Sequence, residues 1–161
     1  MTAYEVAARF VGVKETPGHA STPLVLAMLQ LDGTWPTDDA VPWCSAFLNF
    51  IAFVLGLPRS KSLAAISWQT VGEPIALTDA IAGNDIIVFP HHVGLFARLT
   101  WDRVYVLGGN QSDAVNVSPF PRAAIVAVRR LVPAGSATES AGNAAGVGTV
   151  DPSPSDPAGT A

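Results

Sequence analysis

The chain has a single cysteine, Cys44, and two adjacent histidines, His91 and His92, well downstream of it. These residue types can do nucleophilic chemistry together. An imidazole takes the proton of a thiol, the sulfur attacks a carbonyl, and the imidazolium returns the proton to the leaving group. Cys44 lies in Val41-Pro42-Trp43-Cys44-Ser45-Ala46-Phe47, ahead of an apolar run that stops at Gly56. Pro42 suits a first helical position, so the pattern predicts a helix from Pro42 to Leu55 with the thiol in its first turn. Free backbone N–H groups and the helix dipole favour a thiolate there, and a lowered thiol pKa is expected. A lone cysteine is also a common small core residue. The weight therefore falls on its pairing with a base.

His92 heads a strand-like run, Val93 to Leu99. Neighbours on a strand face opposite ways, so only one of His91 and His92 can face Cys44. A third polar group orients the base in such sites. The candidate is Asn110, in Leu107-Gly108-Gly109-Asn110-Gln111. Its side chain is expected to accept from the second imidazole nitrogen. Gln111 would point away from Asn110 on a continuing strand, and is kept as a substrate-binding candidate. So are Trp43, beside the thiol, and Glu15, whose carboxylate suits an amine. Trp43 could equally wedge between helix and sheet. Glu15, like Asp38 and Asp39, could equally be a solvated loop acid, and His19 reads as an exposed loop residue. The backbone N–H of Cys44 is the natural first donor to an oxyanion.

Several elements must hold these groups. Thr2-Ala3-Tyr4-Glu5 reads as a capping box opening a helix that runs to about Val11. Ser21 or Thr22 caps a second helix with Pro23 at its first position. The third helix is apolar almost all round, as expected at the centre of a fold. Its polar pair, Ser45 and Asn49, lies on one face. Ser62 caps a short helix that closes at Gly72, and Trp68 is expected in the core. The pattern then turns β-branched. Strands are expected over 85–89, 92–99, 103–107, 114–117 and 125–131, with Thr100-Trp101-Asp102-Arg103 as a tight turn. Helices first and antiparallel strands afterwards predict an α+β domain over 1–132, with N-terminal helices packed on a small antiparallel sheet. Residues 133–161 are mostly Ala, Gly, Ser, Thr and Pro, with three acids and no aromatic residue. They read as a disordered tail or linker.

In this order the motifs resemble the CHAP-type and NlpC/P60 cysteine peptidases and amidases, a bacterial and phage group with a papain-like fold. Pro42-Trp43-Cys44-Ser45-Ala46-Phe47 is similar to the group's nucleophile motif. Asp85-Ile86-Ile87-Val88-Phe89 is similar to its first strand, His91-His92-Val93-Gly94 to its Gly-His-Val-Gly, and Gly108-Gly109-Asn110-Gln111 to its Gly-Gly-Asn-Gln. The segment from Gly12 to Gly18 also resembles that branch, and the resemblance spans roughly Tyr4 to Leu131. It implies a peptidoglycan hydrolase that cleaves amide bonds of the stem peptide or the sugar–peptide junction, with Cys44, His92 and Asn110 as catalytic residues. It implies no metal and no organic cofactor. An endolysin-like phage or prophage enzyme is expected. A non-catalytic virion or tail component, a peptidoglycan-binding module or a secreted amidase toxin are the alternatives. The chain departs from the group in three places, one of them a very short loop between Phe89 and His92. His91 replaces the glycine before the base, where Val93-Gly94 sets the register in favour of His92. Asn84 splits the Gly83–Asp85 pair, which suggests a bulge.

Composition narrows the partners. The hydrophobic fraction is 49% and the charged fraction 14%, enough apolar surface for one core. The net charge of −4 gives no electrostatic footprint for nucleic acid. One cysteine allows no internal disulfide. The longest apolar run is too short to span a bilayer. A monomer is expected. No secretory signal is read at the N-terminus. Synthesis in the cytoplasm is expected, with action at the cell wall after release or delivery, or within a phage particle.

Overall fold

The computed structural model describes residues 1–16, 21–33, 36–37 and 40–133. His19, Asp38, Asp39 and the proposed tail from 134 onward lie outside the described residues.

Three helices come first: α1 (Ala3–Ala8), α2 (Pro23–Leu29) and α3 (Cys44–Val54). The capping box of α1 is complete. Glu5 N–H donates to Thr2 Oγ1 at 3.2 Å, and Thr2 N–H donates to Glu5 Oε2 at 2.7 Å. Asn84 adds a cap from elsewhere in the chain, accepting from Ala3 N–H at 2.8 Å. That is its role, in a turn ahead of the strand at Asp85 rather than in a bulge. Pro23 takes the first position of α2 as expected, with Thr22 as its N-cap residue. α1 ends at Ala8, short of Val11, and α3 begins at Cys44, two residues after Pro42. Trp43, with φ −118° and ψ 15°, is the N-cap residue and makes no side-chain cap bond. The first N–H groups of α3 are thus left for other partners.

Among the described residues six strands follow: β1 (Glu73–Pro74), β2 (Asp85–Val88), β3 (Val93–Leu99), β4 (Arg103–Gly108), β5 (Asn116–Pro121) and β6 (Ala127–Arg130). They form one sheet in the order β1-β6-β2-β3-β4-β5, antiparallel at every pairing. The result is the α+β arrangement expected, with helices packed against an antiparallel sheet. Side-chain alternation splits the interior in two. Ile86, Val88, Val93, Leu95 and Leu107 join α1, α2 and α3 in the main core. Ile87, Phe89, Phe96, Val104, Val106 and Val128 form a second cluster.

Polar ties fix the edges of this core. Trp68 is fully buried, and its Nε1 donates to Ser45 Oγ at 2.8 Å. Ser45 Oγ in turn donates to Ser62 O at 2.6 Å, and Asn49 Oδ1 accepts from Lys61 N–H at 3.0 Å. The polar face of α3 therefore anchors the loop that follows it. The buried carboxylate of Asp85 is met by Arg130 through two bonds of 2.7 Å. The hydrogen bonds and charge of Asp85 push the Arg130 guanidinium pKa up.

One close approach sets the distance between helix and sheet. A Cβ at Gly109 would lie 2.6 Å from Trp43 Cζ3 and 2.8 Å from Phe47 Cβ. Both contacts are with fully or almost fully buried side chains. Gly109→Ala is expected to cost about 1–3 kcal/mol as overpacking, a fall of roughly 4–10 °C in the thermal midpoint. Gly83→Ala, where a Cβ meets only Thr2 Cγ2 at 3.9 Å, is the matched control and should leave the midpoint nearly unchanged. Equal midpoints for the two variants in a thermal melt would contradict this packing.

Candidate active site

Cys44 is the first residue of α3 and is 4% exposed. Three backbone N–H groups meet its sulfur: its own, that of Ser45 and that of Val93. The last belongs to β3, so the thiol sits where the helix N-terminus meets the strand that His92 precedes. The turn from β2 to β3 is tight, with Phe89 N–H donating to His92 O at 2.8 Å. Across that turn His91 is exposed and His92 is half-buried.

The imidazole of His92 belongs to a cluster of three rings with Phe89 and Phe120, which stack on each other at 4.8 Å, and it is held at one nitrogen. Phe120 stacks at 4.8 Å and Phe89 at 6.2 Å between ring centroids, with interplanar angles of 13° and 28°. His92 Nε2 lies 3.0 Å from Gln111 Oε1. The residue that meets the base is thus Gln111, a correction to the expectation for Asn110. Asn110 has φ +56°, and Ser112 and Asp113 also have positive φ. The segment after Gly109 is a left-handed turn, not a continuing strand. Strand alternation does not apply to it, and the turn brings the Gln111 side chain back to the histidine. Gly108 lies under this contact: a Cβ there would sit 3.2 Å from His92 Nε2 and 3.3 Å from Gln111 Oε1.

The Gln111 carboxamide has one workable orientation. Its Nε2 donates to Asn116 O at 2.5 Å, Asn116 Oδ1 at 3.0 Å and Val106 O at 3.3 Å. A flipped amide would set an oxygen against all three acceptors. Oε1 therefore faces the ring, and an acceptor opposite Nε2 makes that nitrogen the protonated one in neutral imidazole. Nδ1 keeps the lone pair and can take a proton.

Trp43 is fully buried and wedged beneath Gly109, so it does not offer a surface to substrate. Its Nε1 donates to Glu15 Oε2 at 2.8 Å. Glu15 is half-buried and is joined to the same region by its backbone, since its N–H donates to Asp113 O at 3.0 Å. Lys14 bridges Ala114 in antiparallel fashion. Glu15 thus braces the tryptophan next to the thiol, a structural partnership that overrides its expected reading as a free acid.

Burial pushes the Cys44 thiol up from its ordinary 9.0, outweighing the N–H groups of Val93, Ser45 and Cys44 that favour the thiolate. This reverses the expected lowering: a helix N-terminus favours the anion, but taking the sulfur out of water disfavours it more. Burial pushes His92 down from 6.5, against the Gln111 hydrogen bond, which raises it. Both groups are therefore neutral at rest near neutral pH. Iodoacetamide should modify native Cys44 more slowly than a free thiol at neutral pH, with a rate that keeps rising above pH 9.0. A rate already flat across neutral pH would reveal a preformed thiolate.

No protein-family model and no curated protein matches the sequence. The solved structures that match the chain include two. The peptidoglycan hydrolase RipB from Mycobacterium tuberculosis is 18% identical, with a TM-score of 0.46 over 80% of this chain and 64% of that one. The P60 domain of antigen MAP1204 from M. avium subspecies paratuberculosis is 16% identical, with a TM-score of 0.46 over 80% of this chain and 93% of that one. This chain thus spans about 64% of the RipB chain. The chemistry of the site rests on its own geometry.

Proposed function

We propose that the chain is a cysteine hydrolase that cleaves amide bonds in peptidoglycan, with Cys44 as nucleophile, His92 as acid–base group and Gln111 as the residue that orients the base. The observation that carries this is the pairing of His92 Nε2 with the fixed oxygen of Gln111. It leaves Nδ1 as the proton acceptor in a ring that adjoins Val93, whose N–H meets the Cys44 sulfur.

The steps follow from these groups. Nδ1 takes the thiol proton as sulfur attacks the scissile carbonyl, and a C–S bond forms. The carbonyl oxygen becomes an oxyanion, and the N–H groups at the start of α3 can turn to it as the sulfur gives up its charge to the new C–S bond. The C–N bond then breaks, and His92 gives its proton to the departing amine. Water attacks the thioester while Nδ1 takes its proton; the C–S bond breaks, the sulfur recovers that proton from Nδ1, and the carboxylic acid released loses its proton to solvent. Neither sulfur nor ring holds charge at rest, so proton transfer accompanies attack.

Peptidoglycan as substrate follows from the motif resemblance, as does an endolysin-like setting. The test is mass spectrometry of fragments released from peptidoglycan of defined stem peptide. New amine and carboxyl ends at one amide position are expected. Sugar-end products alone, from glycosidic cleavage, would overturn the reading.

A further inference from the structure

We propose that Asn116 is a positioning residue for this site: it holds the Gln111 carboxamide in the orientation that keeps the His92 proton on Nε2. Only the kinetic part of its test rests on the hydrolase reading above.

Asn116 opens β5 and pairs with Gly108 of β4, the glycine under the His92–Gln111 contact. It and Gln111 clasp each other through side chain and main chain. Gln111 Nε2 donates to Asn116 O at 2.5 Å, and Asn116 Nδ2 donates to Gln111 O at 2.6 Å. Asn116 Oδ1 accepts from Gln111 Nε2 at 3.0 Å and from Ser118 Oγ at 2.5 Å. The Asn116 amide is thus itself keyed, with its nitrogen facing a carbonyl and its oxygen facing two donors. Direction passes from Ser118 to Asn116, from Asn116 to Gln111 and from Gln111 to the imidazole. None of the three titrates, so the orientation does not depend on pH.

The clasp also restrains a turn that would otherwise relax. Gln111 lies between Asn110 at φ +56° and Ser112 at φ +52°, with Asp113 at φ +60° beyond. Left-handed backbone is unfavourable for residues other than glycine and persists where surrounding contacts enforce it. Gln111 N–H to Ala114 O at 2.9 Å and Asn116 Nδ2 to Gln111 O are such contacts. Asn116 touches no reacting atom in this arrangement; it acts through Gln111.

The test is the nitrogen chemical shifts of the His92 ring in the full chain, read by NMR on ¹⁵N-labelled protein without substrate. Wild type should show mainly the Nε2–H tautomer. In Asn116→Ala the ratio of Nε2–H to Nδ1–H should fall about five- to tenfold, the worth of one hydrogen bond. Turnover follows the fraction of Nε2–H and should fall by less than the ratio does, with KM within about twofold, since the variant removes no substrate contact. Ser118→Ala removes only the support of Asn116 Oδ1, should shift the ratio in the same direction by less, and serves alone if Asn116→Ala does not fold. An unchanged ratio in whichever variants fold would overturn the proposal, even with a lowered thermal midpoint. A shifted ratio in a protein whose wild type releases nothing from peptidoglycan would uphold the positioning role and defeat the hydrolase reading instead.

Discussion

Cys44→Ala is expected to abolish release of peptidoglycan fragments while leaving the domain folded. The thiol is the only atom in the site that can form the C–S bond of the proposed intermediate, and alanine offers nothing in its place. Loss of a nucleophile from a concerted set costs on the order of 10⁴-fold or more in turnover. The structural cost is small by comparison. The change deletes one sulfur from a position 4% exposed, without adding volume or charge, and about 1 kcal/mol is expected at such a site. The measurement is fragment release with the thermal midpoint read alongside. Full activity in the alanine variant would remove the nucleophile from the proposal altogether.

The second large effect separates the two neighbouring histidines. His92→Ala removes the ring held against Gln111 and stacked on Phe120. Without it the raised thiol has no acceptor for its proton, and the amine has no donor. A general acid–base group is worth about 10²–10⁴-fold in turnover, and a loss of that size is expected. His91 is exposed on the other side of the turn, and His91→Ala should cost less than about tenfold. Turnover of both variants on one substrate preparation decides the matter. A dead His91→Ala beside an active His92→Ala would show that the opposite face of the turn meets the substrate.

The sequence made some of this arrangement legible, for local reasons. The capping box at Thr2, the proline opening α2, the apolar α3 and the β-branched strands all carry their signal within a few neighbouring residues. The thiol at a helix start and the histidine ahead of a strand belong to the same class. The partner of the imidazole does not. Choosing Asn110 over Gln111 assumed strand alternation, and the positive φ values at 110, 112 and 113 break it. The two glycines before Asn110 were the available hint that the chain passes close to buried groups there. Glu15 and Trp43 are 28 residues apart, and their bond depends on the backbone pairing of 12–15 with 113–115. The thiol pKa was misjudged for a related reason. A helix N-terminus is visible in sequence, whereas the depth at which the fold buries it is not.

The position of β6 bears on how the domain is made. The last strand among the described residues lies inside the sheet, between β1 and β2. It is fastened there by Arg130 on Asp85 and by Leu131 N–H on Asn84 O at 2.9 Å. During synthesis, helices and hairpins can form as they emerge, but β2 keeps an open edge until β6 arrives. Leu131, fully buried in the main core, follows directly behind β6. Contacts so distant along the chain slow folding, and an open edge strand is a template for self-association. A nascent chain halted before Ala127 would hold the nucleophile helix and the histidine turn, yet lack the strand that closes the sheet. Emergence of β6, rather than appearance of the catalytic groups, is then the step at which the sheet can close.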